Sequence, residues 1–144
     1  MVHTRVLNIN SSDKVPEIID ITKRVEKVVK KSRVKEGQVV IFTQHTTAAI
    51  ILQEKEKGLT KDLKGFLKDL CPNDKGYHHS NSPDHLIDGH SNAHSHLQHL
   101  LLGGSSETIP ILDGRMLLGT YQKIFLVELD RARTRNIIIQ IIGE

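Results

Sequence analysis

From Val2 to Asn10 the side chains alternate, with Val2, Thr4 and Val6 set against His3, Arg5, Leu7 and Ile9, the two-residue period of a strand. Glu17 to Thr22 is a second short extended piece. With Thr22 as N-cap, Val25, Val28 and Val29 fall at helical spacing. Lys23, Arg24, Lys27, Lys30, Lys31 and Arg33 fill the outer face, opposed only by Glu26. Val39–Thr43 and Ala48–Leu52 are β-branched and apolar runs of buried-strand type, so His45 falls in the connection between two strands. Thr60 to Leu70 places Leu63, Phe66, Leu67 and Leu70 on one helical face and stops at Cys71-Pro72, where proline denies the preceding residue a helical conformation. Asn92 caps a short helix over Ala93 to Leu102, closed by Gly103-Gly104 in the left-handed region. Four apolar stretches follow: Thr108–Leu112, Arg115–Gly119, Ile124–Leu129 and Asn136–Ile142. The first two flank Asp113-Gly114, a strong hairpin signal. Six to seven strands, about three helices and no regular strand–helix alternation predict an α+β fold with a mainly antiparallel sheet.

The 144 residues suit one domain, spanning 1–144. Hydrophobic residues make up 38% and aromatics only 3%, so the core is expected to be built from Ile, Leu and Val. No apolar run has the length that crosses a bilayer, and Met1 to Val6 lacks the apolar stretch of a signal peptide, which makes the cytoplasm the expected compartment. The single cysteine, Cys71, excludes an internal disulfide and any multi-cysteine zinc site, and reads as a buried helix-end residue. A net charge of +3 permits phosphate or nucleic-acid binding without demanding either.

Asn73 to Ser91 is long, polar and rich in Gly, Asn, Ser and Pro, the signature of a functional or mobile loop. Six of the nine histidines fall between His79 and His99. Imidazole is the commonest metal ligand and titrates near neutrality, so a metal site is the first candidate, relying on histidine and carboxylate. On a helix His94 and His96 point about 200° apart and cannot share an ion. His90 with His94, or His96 with His99, could pair locally, and a remote ligand such as His45 would complete three imidazoles with an open position for water. Any one of these histidines taken alone is equally well a surface or capping residue.

In combination, His45-Thr46-Thr47-Ala48-Ala49, Gly76-Tyr77-His78-His79, Asp88-Gly89 before Asn92-Ala93-His94-Ser95-His96, Gly114-Arg115, and Gly119-Thr120-Tyr121-Gln122-Lys123-Ile124-Phe125-Leu126 resemble the YjbQ-like family over essentially the whole chain. The resemblance implies a small α+β domain, a homotrimer, and three histidines in a pocket that holds a metal in some members. By motif these are His45, His79 and His96, one from each of three separated segments, and zinc is the divalent metal such a set selects. His94 and His99 then take capping or surface roles. Glu54, Asp88 and Glu128 are the candidates for accepting the ring N–H groups or acting as catalytic acid or base. Arg135, with Thr120 and Gln122, is the candidate for substrate or anion binding.

The family is also associated with a secondary thiamine-phosphate synthase activity, joining a pyrimidine diphosphate to a thiazole phosphate. Enzymes dedicated to magnesium diphosphates use carboxylates, so three imidazoles point rather to a zinc-type site that activates water or polarises a phosphoryl oxygen. Arg131, Arg133 and Arg135 are spaced by two and in an extended strand would share one face suited to an anion. Arg131-Ala132 departs from the glycine common in relatives, and Tyr121 stands where tryptophan is usual. The expectation is therefore a metal-dependent enzyme, a synthase-like transferase or zinc-dependent hydrolase, acting on a small phosphorylated or heterocyclic substrate. The alternatives are a non-catalytic metal or small-ligand binding protein and, with least support because no stacking aromatics accompany it, a nucleic-acid partner for the basic helix.

Overall fold

A computed structural model describes residues 1–73, 75–85 and 90–144. Among them the elements run β1 (Val2–Asn10), β2 (Glu17–Asp20), α1 (Thr22–Ser32), β3 (Gly37–Thr43), β4 (Ala48–Glu54), α2 (Lys57–Leu70), two 3-10 turns (His78–Asn81 and Pro83–His85), α3 (Ala93–Leu101), β5 (Ser106–Leu112), β6 (Arg115–Met116), β7 (Gln122–Glu128) and β8 (Thr134–Gly143). The α+β class and the antiparallel pairing are as expected, but the strands are eight and divide between two sheets. One is ordered β1-β8-β3-β5-β6 and the other β2-β7-β4.

Alternation on β7 explains the layering. Ile124 and Leu126 point into a core shared with Val39, Ile41, Ile137, Ile139 and Ile141 of the larger sheet, while Phe125 and Val127 face Leu67 of α2. β4 and β7 are thus covered on both faces, which is why they carry continuous apolar runs, whereas the edge strand β2 is half-buried and bounded by Glu17 and Asp20. Val25 and Val29 of α1 join the inter-sheet core, and the basic positions of that helix stay outside.

Most local signals behave as physical chemistry dictates; the helix starts differ, and Asn92, at the N-cap position of α3, makes no capping hydrogen bond with its side chain, which donates to Asp130 instead. Asp113 and Gly114 take positive φ (52° and 74°) in the turn between β5 and β6, and Gly103 and Gly104 are left-handed (82° and 88°). Thr22, however, is the first residue of α1 rather than its cap. Its backbone N–H donates to Asp20 Oδ1 at 3.0 Å, and its own hydroxyl accepts from the Ile124 N–H at 2.8 Å, stitching the helix to β7. Glu56 caps α2 by accepting from the Gly58 and Leu59 N–H groups, so this helix starts one turn earlier than its apolar spacing predicts. No helix among the described residues is long and apolar enough to cross a membrane.

Candidate functional site

Where β3 leaves the larger sheet and β4 enters the smaller, residues 44–47 bridge the two layers and carry His45. The residue is fixed at both ends, its backbone N–H reaching Thr43 Oγ1 at 3.4 Å and its ring Nε2 accepting from the Asn136 N–H at 3.1 Å. Thr47, one turn of chain further, is buried, and its carbonyl accepts from the Leu129 N–H at 3.1 Å.

Beneath this connection lies a buried ion pair. Parity on β7 and β8 turns Glu128 and Arg135 into the end of the inter-sheet core, where neither is exposed. Arg135 donates through Nε to Glu128 Oε1 at 2.8 Å and through Nη2 to Oε2 at 2.5 Å, and Nη2 also reaches Thr47 Oγ1 at 2.9 Å. The Ser11 hydroxyl donates to the same carboxylate. Burial works to raise the Glu128 carboxyl, but the hydrogen bonds from Arg135 and Ser11 and the guanidinium charge outweigh it, holding the group below its ordinary range. One guanidinium nitrogen, Nη1, is out of solvent and has no partner among the described residues.

Above it opens a pocket of about 350 Å³ lined by His45, His79, His85, His96, Arg133 and Arg135, with Gln44, Thr46, Thr47 and Asn92. The two 3-10 turns fold His79 and His85 together with ring centroids 3.8 Å apart, and the first turns of α3 bring His96 edge-on to His79 at 4.9 Å. The three histidines singled out by motif therefore line one pocket. His85 makes a fourth, its Nε2 bonded to the His90 carbonyl. Nothing in the sequence picks His85 out, because its contact with His79 depends on irregular turns that have no period.

The other candidates separate. Ala48 pairs with Glu128 and Glu54 with Gln122, so Glu54 and Gln122, with Thr120 nearby in sequence, sit six residues along the small sheet from the pocket, about 20 Å away. Gln122 there accepts from the Gly119 N–H at 2.7 Å. Asp88 lies outside the described residues. The arginines do not form a three-residue strand face, because β8 begins only at Thr134. Arg131 and Arg133 precede it and pair with Asp130 at 3.5 and 2.9 Å. Arg135 is buried and bonded through Nε and Nη2 to Glu128 and Thr47, with only Nη1 unpartnered among the described residues, rather than standing open at the surface. His94 is buried beside Ser95, and His99 meets Ser105 at 3.2 Å, both outside the pocket.

Burial lowers the basicity of His45, with the Arg135 charge acting the same way, and burial followed by the neighbouring His79 lowers that of His96. Both are thus favoured as neutral imidazole, the form that binds metals. His79 Nε2 is out of solvent and unpartnered among the described residues, and His96 makes a backbone hydrogen bond with Thr46, the anchoring that orients metal-binding imidazoles. These two fit a transition ion. His45 fits only in part, since its Nε2 lone pair is taken by Asn136, and among the described residues no three His, Cys, Asp or Glu side chains are arranged to hold a metal.

The sequence profile described as "UPF0047 protein YjbQ-like" matches residues 6–144. The chain belongs to the UPF0047 YjbQ-like family. A UPF0047 protein of Methanothermobacter thermautotrophicus is 40% identical over 143 residues, covering 99% of this chain and 94% of that one. The UPF0047 protein of Archaeoglobus fulgidus is 42% identical over 124 residues, with 86% and 90% covered. Among solved structures, a YbjQ-like protein of unknown function from Sulfolobus solfataricus superposes with a TM-score of 0.84 at 38% identity, covering all of both chains. The hypothetical protein APE1520 from Aeropyrum pernix gives 0.86 at 30% identity, with 99% of each covered. This UPF0047 member thus shares its relatives' fold from end to end.

Proposed function

We propose that the histidine pocket binds a divalent metal, zinc first, through His45, His79 and His96, and receives a small phosphorylated or heterocyclic molecule whose anionic end lies toward Arg133 and Arg135. The observation that carries this reading is the edge-on approach of His96 to His79, with an unpartnered His79 nitrogen, in a pocket walled by arginine. Three imidazoles match zinc or a similar ion better than magnesium, which prefers oxygen. For His45 to join through Nε2 it must give up the Asn136 N–H. When bound, the ion would supply Lewis-acid polarisation of a phosphoryl or carbonyl oxygen. The chain's own part is positional: the Glu128–Arg135 pair fixes Thr47 and hence the segment bearing His45, Thr46 orients His96, and the unpartnered Arg135 Nη1 is a donor held ready for an anionic oxygen.

Catalysis of a thiamine-phosphate synthase or hydrolase type is the enzymatic form of the proposal. One observation favours a second, non-catalytic reading: no carboxylate lines the pocket among the described residues, and Glu128 is bound to Arg135, so no acidic general base faces the ligand. Both forms need the metal. Tag-free protein reconstituted with zinc and dialysed should retain about one ion per chain, and His79→Ala and His96→Ala should each lose it. Full zinc retention by His96→Ala would show the ligand choice to be wrong. Zinc-dependent turnover of phosphorylated heterocycles separates the enzymatic form from the binding form.

A further inference from the structure

A second cavity, of about 490 Å³, lies away from the histidine pocket, between edge strand β1 and helix α1. His3 and Arg5 enter it from β1. They share the parity of Leu7 and Ile9 and so lie on the inward side of the strand, where apolar residues would continue the core. Arg24, Lys27 and Lys31 enter from α1 at a spacing of three and four residues, which puts them on one helical face. Leu7 and Val28 give the groove an apolar floor.

No carboxylate lines this groove. Lys27 and Lys31 have no ion-pair partner among the described residues, while Arg24 donates to the Asn8 carbonyl at 3.1 Å and Arg5 to the Thr4 carbonyl at 2.9 Å. His3 Nε2 is out of solvent and unpartnered there. Four cations around one hollow repel each other, and pairing with acids is the ordinary remedy. On the opposite flank of α1, Lys30, Arg33, Lys35 and Arg115 share their groove with two carboxylates, Glu26 and Asp113. The β1 side therefore lacks a counter-charge that the fold supplies elsewhere on the same helix.

We propose that the groove between β1 and α1 binds the polyphosphate chain of a small molecule of the nucleoside di- or triphosphate class. Arg5, Arg24, Lys27 and Lys31 contact the phosphates, and the uncharged body rests on Leu7 and Val28. A cavity of this volume suits one small molecule. No Phe, Tyr or Trp lines it and His3 is its single ring, so it offers no platform on which successive bases would stack, which favours a small ligand over single-stranded nucleic acid.

Titration calorimetry of the full chain at ~0.15 M salt, where long-range attraction between exposed charges is largely screened, tests this with ATP, inorganic triphosphate and AMP as probes. ATP and triphosphate should bind saturably, AMP at least about tenfold more weakly, one extra tenfold being about 1.4 kcal/mol. Equal affinity for ATP and triphosphate would place recognition in the phosphates alone, and tighter ATP binding would add the nucleoside to the floor. Lys27→Gln with Lys31→Gln, both exposed, should weaken ATP by about tenfold or more, while Lys61→Gln with Lys68→Gln on α2 should leave it unchanged. The proposal fails if ATP and triphosphate do not saturate, if the α2 pair weakens binding equally, or if a single-stranded oligonucleotide binds tighter than ATP and displaces it.

Discussion

Replacing Arg135 by methionine tests the buried pair that underlies the pocket. The change preserves much of the apolar stem but removes four hydrogen bonds, two to the Glu128 carboxylate at 2.8 and 2.5 Å and two to the Thr47 hydroxyl and carbonyl at 2.9 and 3.3 Å, leaving the carboxylate fully buried with only Ser11 and nearby backbone N–H groups as donors. A buried charge stripped of its partner commonly costs about 3–5 kcal/mol. Glu128 has an escape, because it can take up a proton. From its ordinary value of 4.5, protonation at pH 7 costs about 3.4 kcal/mol, at about 1.4 kcal/mol per pH unit. Protonation limits the penalty of the stranded charge, and losing the bonds to Thr47 adds about 1 kcal/mol. Urea denaturation should therefore show a loss of about 3–4 kcal/mol at pH 7, a large share of the ~5–15 kcal/mol typical of a domain. At pH 5 the proton costs only about 0.7 kcal/mol, so the deficit relative to the unmodified protein should narrow. Arg135→Met with Glu128→Gln, which removes the charge outright, should recover much of the loss. A single variant within about 1 kcal/mol of the parent at pH 7, or a deficit independent of pH, would refute the reasoning.

Acid should destabilise the protein through its histidines. Burial lowers His45, His94, His96 and His99 below the ordinary 6.5, so the unfolded chain binds more protons as the pH falls through that value, and stability present above it is lost below it. Glu128, lowered from 4.5, extends the loss to still lower pH. The melting temperature should be level above about pH 7.5 and fall below about 6.5; a rise on acidification would contradict the burial argument. Gly143→Ala should be severely destabilising by thermal melt, since a Cβ there would stand 2.2 Å from the Glu36 carbonyl oxygen and 2.6 Å from Val34 Cγ1; an unchanged melt would mean that the strand ends yield freely. On the outer face of the larger sheet Val6, Ile138 and Phe42 lie in register as an uncovered apolar row, a surface suited to a second copy in a homotrimer. Light scattering should give three chains for the parent and a smaller mass for Ile138→Asp, and a monomeric parent would remove the trimer.

Much of the fold was legible because its signals are local. The Asp113-Gly114 turn, the proline stop after α2 and the glycines after α3 each follow from backbone geometry at one or two residues. The division into two sheets was not, because a continuous apolar run such as Ile124–Val127 marks a strand covered on both faces without saying what covers each, and only the packing of Ile124 and Leu126 against the larger sheet and of Phe125 with Leu67 shows it. At the site, the His-Thr-Thr, Gly-Tyr-His-His and Asn-Ala-His-Ser-His motifs led to three histidines that line one pocket. Glu54 and Gln122 carried equally good chemistry in sequence, but antiparallel pairing sends them to the far end of the small sheet. That Arg135 is also bound to a buried carboxylate was not legible, because spacing reveals which face a side chain takes, not whether a group such as Glu128 waits across the core.

The central claim is that His45, His79 and His96 hold a divalent ion in one pocket. A crystal of zinc-reconstituted, tag-free protein with anomalous data collected on both sides of the zinc edge tests it most directly. If the proposed ligands hold the ion, a single strong peak lies within bonding distance, about 2.0–2.1 Å, of ring nitrogens of His79 and His96, with His45 turned from Asn136 to complete the set. A map without a peak in the pocket, or with zinc bound only at surface histidines such as His78, would contradict it.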